Sequence, residues 1–285
     1  MSTYAQYGAP SNQVFSYQAA PGVGVAPGPF GGMQFVYVQD PLTELGSCTA
    51  ILIKQQPEFL EKMSGCETEN RYMVFGNSPQ GFKFLFKCKE KSSWFSRMYC
   101  PSNIREFDMQ ITHVATEAEL MGFSKTFAHA YKPCTCNCLC LCRPEINVTL
   151  TEGNQFLGKI VHACSVCDPV FHVYDSSNAL KYIVTASCCQ CGLLFGKTIC
   201  GKLSEVEFSI LEPSNENPVG SVVRKVADNA ELVTDADSYE LIFPVNATQI
   251  DKMLLTALGL MIDYQYFEVD ANEDKKKKKK FRIKL

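Results

Sequence analysis

Residues 251–268, DKMLLTALGLMIDYQYFE, constrain this chain more than any other stretch. Between residues 253 and 267 the one formal charge is Asp263. Apolar side chains fall all the way round a 3.6-residue wheel, so a helix here has no face to give to water. Such a helix is either a membrane span or the centre of a protein core. A span needs about 20 apolar residues, and this run is shorter. A carboxylate at bilayer depth costs at least ~2.5 kcal/mol. Length and charge together favour the buried helix, whose core positions are Met253, Leu254, Leu255, Leu258, Leu260, Met261 and Ile262, with Asp263 among them.

Everything ahead of that helix is patterned as strands. Runs rich in β-branched and aromatic residues occupy 35–38, 50–53, 71–75, 82–86, 106–114, 124–132, 146–150, 156–161, 170–174, 180–185, 206–211 and 220–226. Turn clusters such as GNSPQG at 76–81 separate them. In the run 106–114, Phe107, Met109 and Ile111 share one face. Short strands at short intervals predict an all-β barrel or sandwich. The expected fold is mainly β, a barrel or curled sheet wrapped around one late helix.

Composition sets the ends apart from this body. Residues 1–33 place Pro10, Pro21, Pro27 and Pro29 among Gly, Ala, Gln and Tyr. Such a segment cannot bury a core and is expected to be disordered, available to protein partners. The domain is expected over 34–269 and a basic tail over 270–285. The net charge of −3 hides an asymmetry: KKKKKKFRIKL at the end carries eight positive charges, and the other 274 residues hold 19 basic and 30 acidic side chains, net −11. A basic tail on an acidic body calls for an anionic partner, lipid headgroups or nucleic acid. The acidic body and the lack of aromatic–basic interleaving argue against nucleic acid. His113, His129, His162 and His172 are scattered, and no nucleophile elbow, P-loop or metalloprotease motif accompanies them, so an enzyme is not expected. Met1 opens a polar, Pro-rich segment and not a signal peptide. On that ground the chain is expected in the cytosol, with its 15 cysteines reduced and no disulfide framework.

Two cysteine clusters and one acidic segment are candidate sites. Cys134, Cys136, Cys138, Cys140 and Cys142 alternate between Pro133 and Pro144. A C-x-C row cannot easily close a tetrahedron around zinc. A dense row of thiols suits S-acylation, with metal binding and plain cysteine as the other readings. The second cluster holds Cys188, Cys189 and Cys191, with Cys200 nearby and Cys164-Ser165-Val166-Cys167 upstream beside His162. Its C-x-x-C allows Zn²⁺, the spacing to the other half reads as irregular, and buried apolar cysteine is the commoner explanation. Asp235 and Asp237 echo the first ligands of a calcium loop, but the sixth position is Glu240 and the twelfth Asn246, so no EF-hand forms. A turn rich in oxygen ligands for weak Ca²⁺ binding remains, against simple solvated acids.

Several of these stretches carry a family likeness. DADSYELIFP at 235–244, the apolar helix and IDYQYFE at 262–268 resemble the phospholipid scramblase family. ILIKQQ at 51–56, CETENRY at 66–72, the cysteine row and Cys188-Cys189-Gln190-Cys191 fit the same likeness. The resemblance implies a tubby-like barrel of 12 strands enclosing a hydrophobic C-terminal helix. It implies Ca²⁺-stimulated, energy-independent phospholipid exchange between leaflets at the cytoplasmic face of a membrane, the plasma membrane first, with the nucleus as an alternative location. It places a calcium segment on Asp235, Asp237, Tyr239, Leu241, Phe243 and Asn246, and palmitoylation on Cys134 to Cys142. Membrane phospholipids are the implied partner, with homo-oligomers allowed; a tethered adaptor that binds lipid without moving it is the rival. Asn246 stands where relatives commonly carry Asp, and the cysteine row is interrupted by single residues.

Overall fold

The structure, a computed structural model, describes residues 40–56, 69–79, 81–94, 105–113, 126–134, 143–194, 205–225 and 238–267. The segments 1–33 and 270–285 and the run 35–38 lie outside the described residues.

A short helix, α1 (Pro41–Ser47), leads into β1 (Ala50–Gln55), β2 (Arg71–Ser78), β3 (Gly81–Lys91), β4 (Phe107–His113), β5 (Thr126–Lys132) and β6 (Glu145–Leu150). Then come β7 (Phe156–His162), β8 (Val170–Asp175), β9 (Leu180–Thr185), a one-turn helix α2 (Cys191–Leu194), β10 (Val206–Leu211), β11 (Pro218–Lys225), β12 (Ser238–Ile242) and the long helix α3 (Gln249–Tyr266). Each strand pairs antiparallel with its sequence neighbour. β1 pairs with β12, Ile51 opposite Leu241, so twelve strands close into a barrel with no exposed edge. Alternation decides which side chains point in: Phe107, Met109 and Ile111 of β4 are buried, as the sequence pattern requires.

α3 runs inside this barrel. Thr248 and Asp251 start it with a reciprocal capping box: the Asp251 N–H donates to Thr248 Oγ1 at 3.2 Å, and the Thr248 N–H donates to Asp251 Oδ2 at 2.9 Å. Every residue from Asp251 to Tyr264 is buried, so the helix with no water-facing side is met by barrel wall all round. Each buried Leu, Ile or Met contributes about 1.5–3 kcal/mol relative to exposure. Strand number follows from the cargo. Side chains alone fill a barrel of about eight strands, and a helix with its side chains is about 10–12 Å across. The fit is close at Gly259, where a Cβ would come within 2.8 Å of Ile53 Cδ1. Among the described residues no helix is long and apolar enough to cross a membrane.

Two elements depart from the sequence expectation. The segment around residues 238–242, read as an oxygen-rich turn, is the strand that closes the barrel. Tyr239 and Leu241 point into the core while Glu240 faces out to Lys225 at 3.2 Å. The other is α1, capped by Asp40, which accepts from the Thr43 N–H at 3.2 Å, with Pro41 in its first turn. α1 closes the barrel end where α3 begins. Lys252 Nζ donates to the carbonyls of Gly46 (2.6 Å) and Cys48 (2.7 Å), and Glu44 holds Lys83 and His113.

An ammonium placed at the middle of α3 has no partner inside an apolar wall. Leu258→Lys is expected to cost several kcal/mol, comparable to a whole domain stability of about 5–15 kcal/mol. Circular dichroism should show loss of the cooperative thermal transition. A variant that still melts cooperatively near the wild-type midpoint would contradict the buried placement.

Candidate functional site

Because the barrel is an antiparallel meander, alternate connections share an end. β1–β2, β3–β4, β5–β6, β7–β8, β9–β10 and β11–β12 all connect at the end where α3 terminates. The connection from β5 to β6 carries the cysteine row, β7 to β8 carries Cys164 and Cys167, and β9 to β10 carries Cys188 to Cys200. The connection from β11 to β12 carries Asp235 and Asp237, and the chain leaves α3 at this end toward the lysines. Fold topology, not sequence proximity, roots these connections at one rim.

Beneath that rim lies a buried polar layer. Asp263 accepts hydrogen bonds from the hydroxyls of Tyr72 (2.5 Å) and Tyr239. Tyr264 OH accepts from Arg105 Nε at 2.6 Å and donates to Glu90 Oε1 at 3.2 Å. Glu90 also accepts from the Asn70 side chain at 2.9 Å and lies 3.5 Å from Arg105. Lys132 Nζ donates to the Arg105 carbonyl at 2.8 Å, and burial pushes its pKa down to about 8. Arg224 stacks 4.1 Å over the Phe267 ring. The layer ties β2, β3, β5 and β12 to the last turns of α3, and it sets the rotation and depth of the helix. It is buried and offers no nucleophile beside a base, so its chemistry is positional.

At the edge of this layer Tyr266 OH meets His162 Nε2 at 2.8 Å, and Arg143 donates to the carbonyls of His162 (3.2 Å) and Ala163. Burial, with the Arg143 guanidinium second, pushes the His162 pKa from 6.5 down to about 4. Burial pushes the Tyr266 hydroxyl up to about 12. Two open grooves flank the rim on the outer wall. One, of about 670 Å³, is lined by Lys91, Ser92, Asp108, His129 and Tyr131; the other, of about 390 Å³, by Asp168, Ser187, Gln190 and Glu207.

The proposed calcium residues are not assembled into one site among the described residues. Tyr239, Leu241 and Phe243 are in the core, Tyr239 on Asp263. Asn246 is exposed at the opposite end of the barrel, beyond the far end of β12. Asp235 and Asp237 lie outside the described residues. Of the cysteine row, Cys134 is exposed, and Cys136, Cys138, Cys140 and Cys142 lie outside the described residues. The helix positions Met253, Leu254, Leu255, Leu258, Leu260, Met261, Ile262 and Asp263 are all in the barrel interior.

The expectation of fully reduced cysteines is corrected. A disulfide joins Cys167 to Cys188 with their Cα atoms 5.9 Å apart, and Cys191 is disulfide-bonded as well. Strand pairing brings Cys167 and Cys188 together: Val170 pairs with Thr185, and the Ala186 N–H donates to the Pro169 carbonyl at 3.2 Å. A compartment argument knows nothing of that approach. His162, two residues before Cys164, turns to Tyr266.

Sequence reasoning missed Glu90, Arg105, Lys132 and Arg224. For three of them the alternation held the signal. Glu90 continues the inward phase of Phe86 and Cys88, Lys132 that of Ala128 and Ala130, and Arg224 that of Val222. A charge on the core phase near a strand end marks a buried polar layer.

Fold and rim together define a small closed barrel built around a helix, with one end rich in cysteine. The Scramblase family model matches residues 32–269, and the chain belongs to that family, whose tubby-like architecture the barrel shares. It is 24% identical to phospholipid scramblase 1 of Rattus norvegicus over 227 residues, 79% of this chain and 62% of that protein. It is 26% identical to phospholipid scramblase 4 of Homo sapiens over 76% of this chain and 61% of that protein. It is 23% identical to phospholipid scramblase 2 of Bos taurus over 78% of this chain and 70% of that protein. The first of these matches spans less than two thirds of the relative's length. No solved structure matches the chain.

His162 gives the rim a pH dependence. It stays neutral in the fold down to about pH 4, whereas in the unfolded chain it protonates near pH 6.5. The unfolded state therefore binds the extra proton in that window, and stability falls as pH drops through it. One proton gives at most ~1.4 kcal/mol per pH unit. Denaturant melts of wild type and His162→Gln between pH 7 and pH 5 should diverge, the wild type losing more stability. Parallel pH profiles would show that His162 carries no such load.

Proposed function

We propose that this protein is a peripheral membrane protein of the cytoplasmic face that moves phospholipids between leaflets without ATP, in both directions, stimulated by Ca²⁺. The observation that carries the proposal is the shared rim. The cysteine row, the Asp235–Asp237 connection and the chain leading to the basic tail all attach to one end of the barrel. A lipid surface can engage all three at once. Relatives that bear the name phospholipid scramblase support the activity. Acyl chains on the row supply the anchor, since one chain alone binds marginally and two or more hold. Each Lys or Arg near an anionic leaflet adds about 1 kcal/mol, screened by salt. The plasma membrane, with its anionic inner leaflet, is the proposed location.

A buried α3 cannot serve as a spanning track for lipid headgroups, so exchange by this route requires bilayer distortion, assembly of several copies or release of the helix. The same placement favours a second reading, a tethered lipid-binding adaptor. Leaflet exchange of a labelled phospholipid in liposomes containing the purified chain decides between them. Scrambling predicts exchange that rises with Ca²⁺ and loses that rise in Asp235→Ala/Asp237→Ala. With so few fixed charges, the Ca²⁺ midpoint should lie on the order of 10⁻⁴–10⁻³ M. Vesicle binding without exchange would leave the adaptor.

Anchoring is tested separately in cells. Replacing Cys134, Cys136, Cys138, Cys140 and Cys142 by Ala should shift the protein to the soluble fraction, more completely when residues 275–285 are also removed. Full membrane retention of the combined variant would refute both anchors.

A further inference from the structure

We propose that, in the reduced protein, Cys164, Cys167, Cys188 and Cys191 form a tetrathiolate zinc site at the barrel rim. The spacing looks irregular in the sequence only because three cysteines crowd residues 188–191. Passing over Cys189, the pattern is Cys-x₂-Cys-x₂₀-Cys-x₂-Cys. Paired knuckles at about this spacing are how a chain places two sulfurs from each side on one tetrahedral ion.

The difficult step in such a site is bringing the two knuckles together, and the fold has done it for one cysteine of each. The β8–β9 hairpin separates them in sequence, and its pairing returns the chain to the same rim. Cys167 belongs to one knuckle and Cys188 to the other, and their sulfurs are in bonding contact. Ligand atoms of Cys167, Asp168 and Cys188 all lie within 4.8 Å of one another. Two thiolates on one zinc, each about 2.3 Å from it, sit roughly 3.8 Å apart. The backbone approach that permits the sulfur–sulfur bond therefore also suits shared coordination; reduction of this bond leaves one thiol of each knuckle facing the other, and Cys191, itself disulfide-bonded, joins them once its own bond is reduced.

Both knuckles are held from outside. The Asp168 carboxylate accepts the Cys188 N–H at 2.7 Å. Gln190 is clamped to β10 by two 2.8 Å bonds, its Nε2 to the Glu207 carbonyl and the Glu207 N–H to its Oε1. The Gln190 N–H closes a turn on the Ser187 carbonyl at 3.3 Å, and Cys191 follows as the first residue of α2. On the other side Ser165 Oγ donates to the Asp168 carbonyl and bends the first knuckle. Outer hydrogen bonds of this kind orient metal ligands. Cys189 is exposed and takes no part in the spacing.

The test uses the full chain purified under reducing conditions in the presence of zinc, with metal content read by mass spectrometry and thiols by a colorimetric reagent. About one zinc per chain is expected. Cobalt(II) in its place should give intense thiolate-to-metal bands and tetrahedral visible bands. A strong chelator should strip the metal and raise the reactive thiols by about four. Cys167→Ser/Cys188→Ser should lose the zinc, and Cys189→Ser should keep it. Should the double variant fail to fold, Cys164→Ser and the wild-type chelator titration decide the matter, through lost thiolate bands and the thiol count. Zinc below a tenth per chain, cobalt spectra without thiolate bands, or chelation that frees no thiols would overturn the site. None of these readouts involves lipid, so failure here leaves the proposed membrane role standing, and the reverse holds as well.

Discussion

A carboxylate sits near the end of an otherwise apolar helix, and burying that helix obliges the surrounding wall to supply donors. Asp263 receives two tyrosine hydroxyls, one from β2 and one from β12. A buried charge without such partners costs several kcal/mol, so the helix is stable at one rotation and one depth. Tyr264, one residue on, makes the same demand on Arg105 and Glu90. The polar layer at the rim thus follows from residues 263 and 264, and so does the register that lets Gly259 approach Ile53.

The barrel's two ends have different chemistry. At the end where α3 begins, α1 packs over the opening and the Lys252 ammonium satisfies carbonyls that α1 leaves unpaired. At the other end the closure is made of side chains, Glu90, Arg105, Lys132 and Arg224, and the connections above them carry the cysteines and acids. Stability is concentrated in the interior, where the helix meets the wall. The proposed membrane and metal contacts belong to connections outside that interior. A barrel closed around its own helix can carry such connections at little cost to its fold.

Much of this was legible in the residues. The absence of a polar face on 251–268 identified a helix that must be enclosed, and alternation located strands β1 to β11 to within a few residues, with β3 extending further. Where the sequence misled, a local motif outweighed the pattern around it. The two aspartates at 235 and 237 drew residues 238–242 into a calcium turn, although Tyr239 and Leu241 keep the inward phase of a strand. Asp40 and Pro41 announced α1 in plain capping language, but seven residues are too few for a helical period to show.

By itself the sequence determined that the helix had no face for water and favoured its burial among short strands, because both depend on periodicities of 3.6 and 2 that are local to the chain. Tertiary structure alone decided which residues meet. Closure of β1 on β12, the donors for Asp263 and the approach of Cys167 to Cys188 each join positions 21 to 192 residues apart. The direction of every strand in a meander is fixed only once its neighbours are paired. For that reason the common origin of the cysteine- and acid-bearing connections at one rim could not be seen before the barrel was closed.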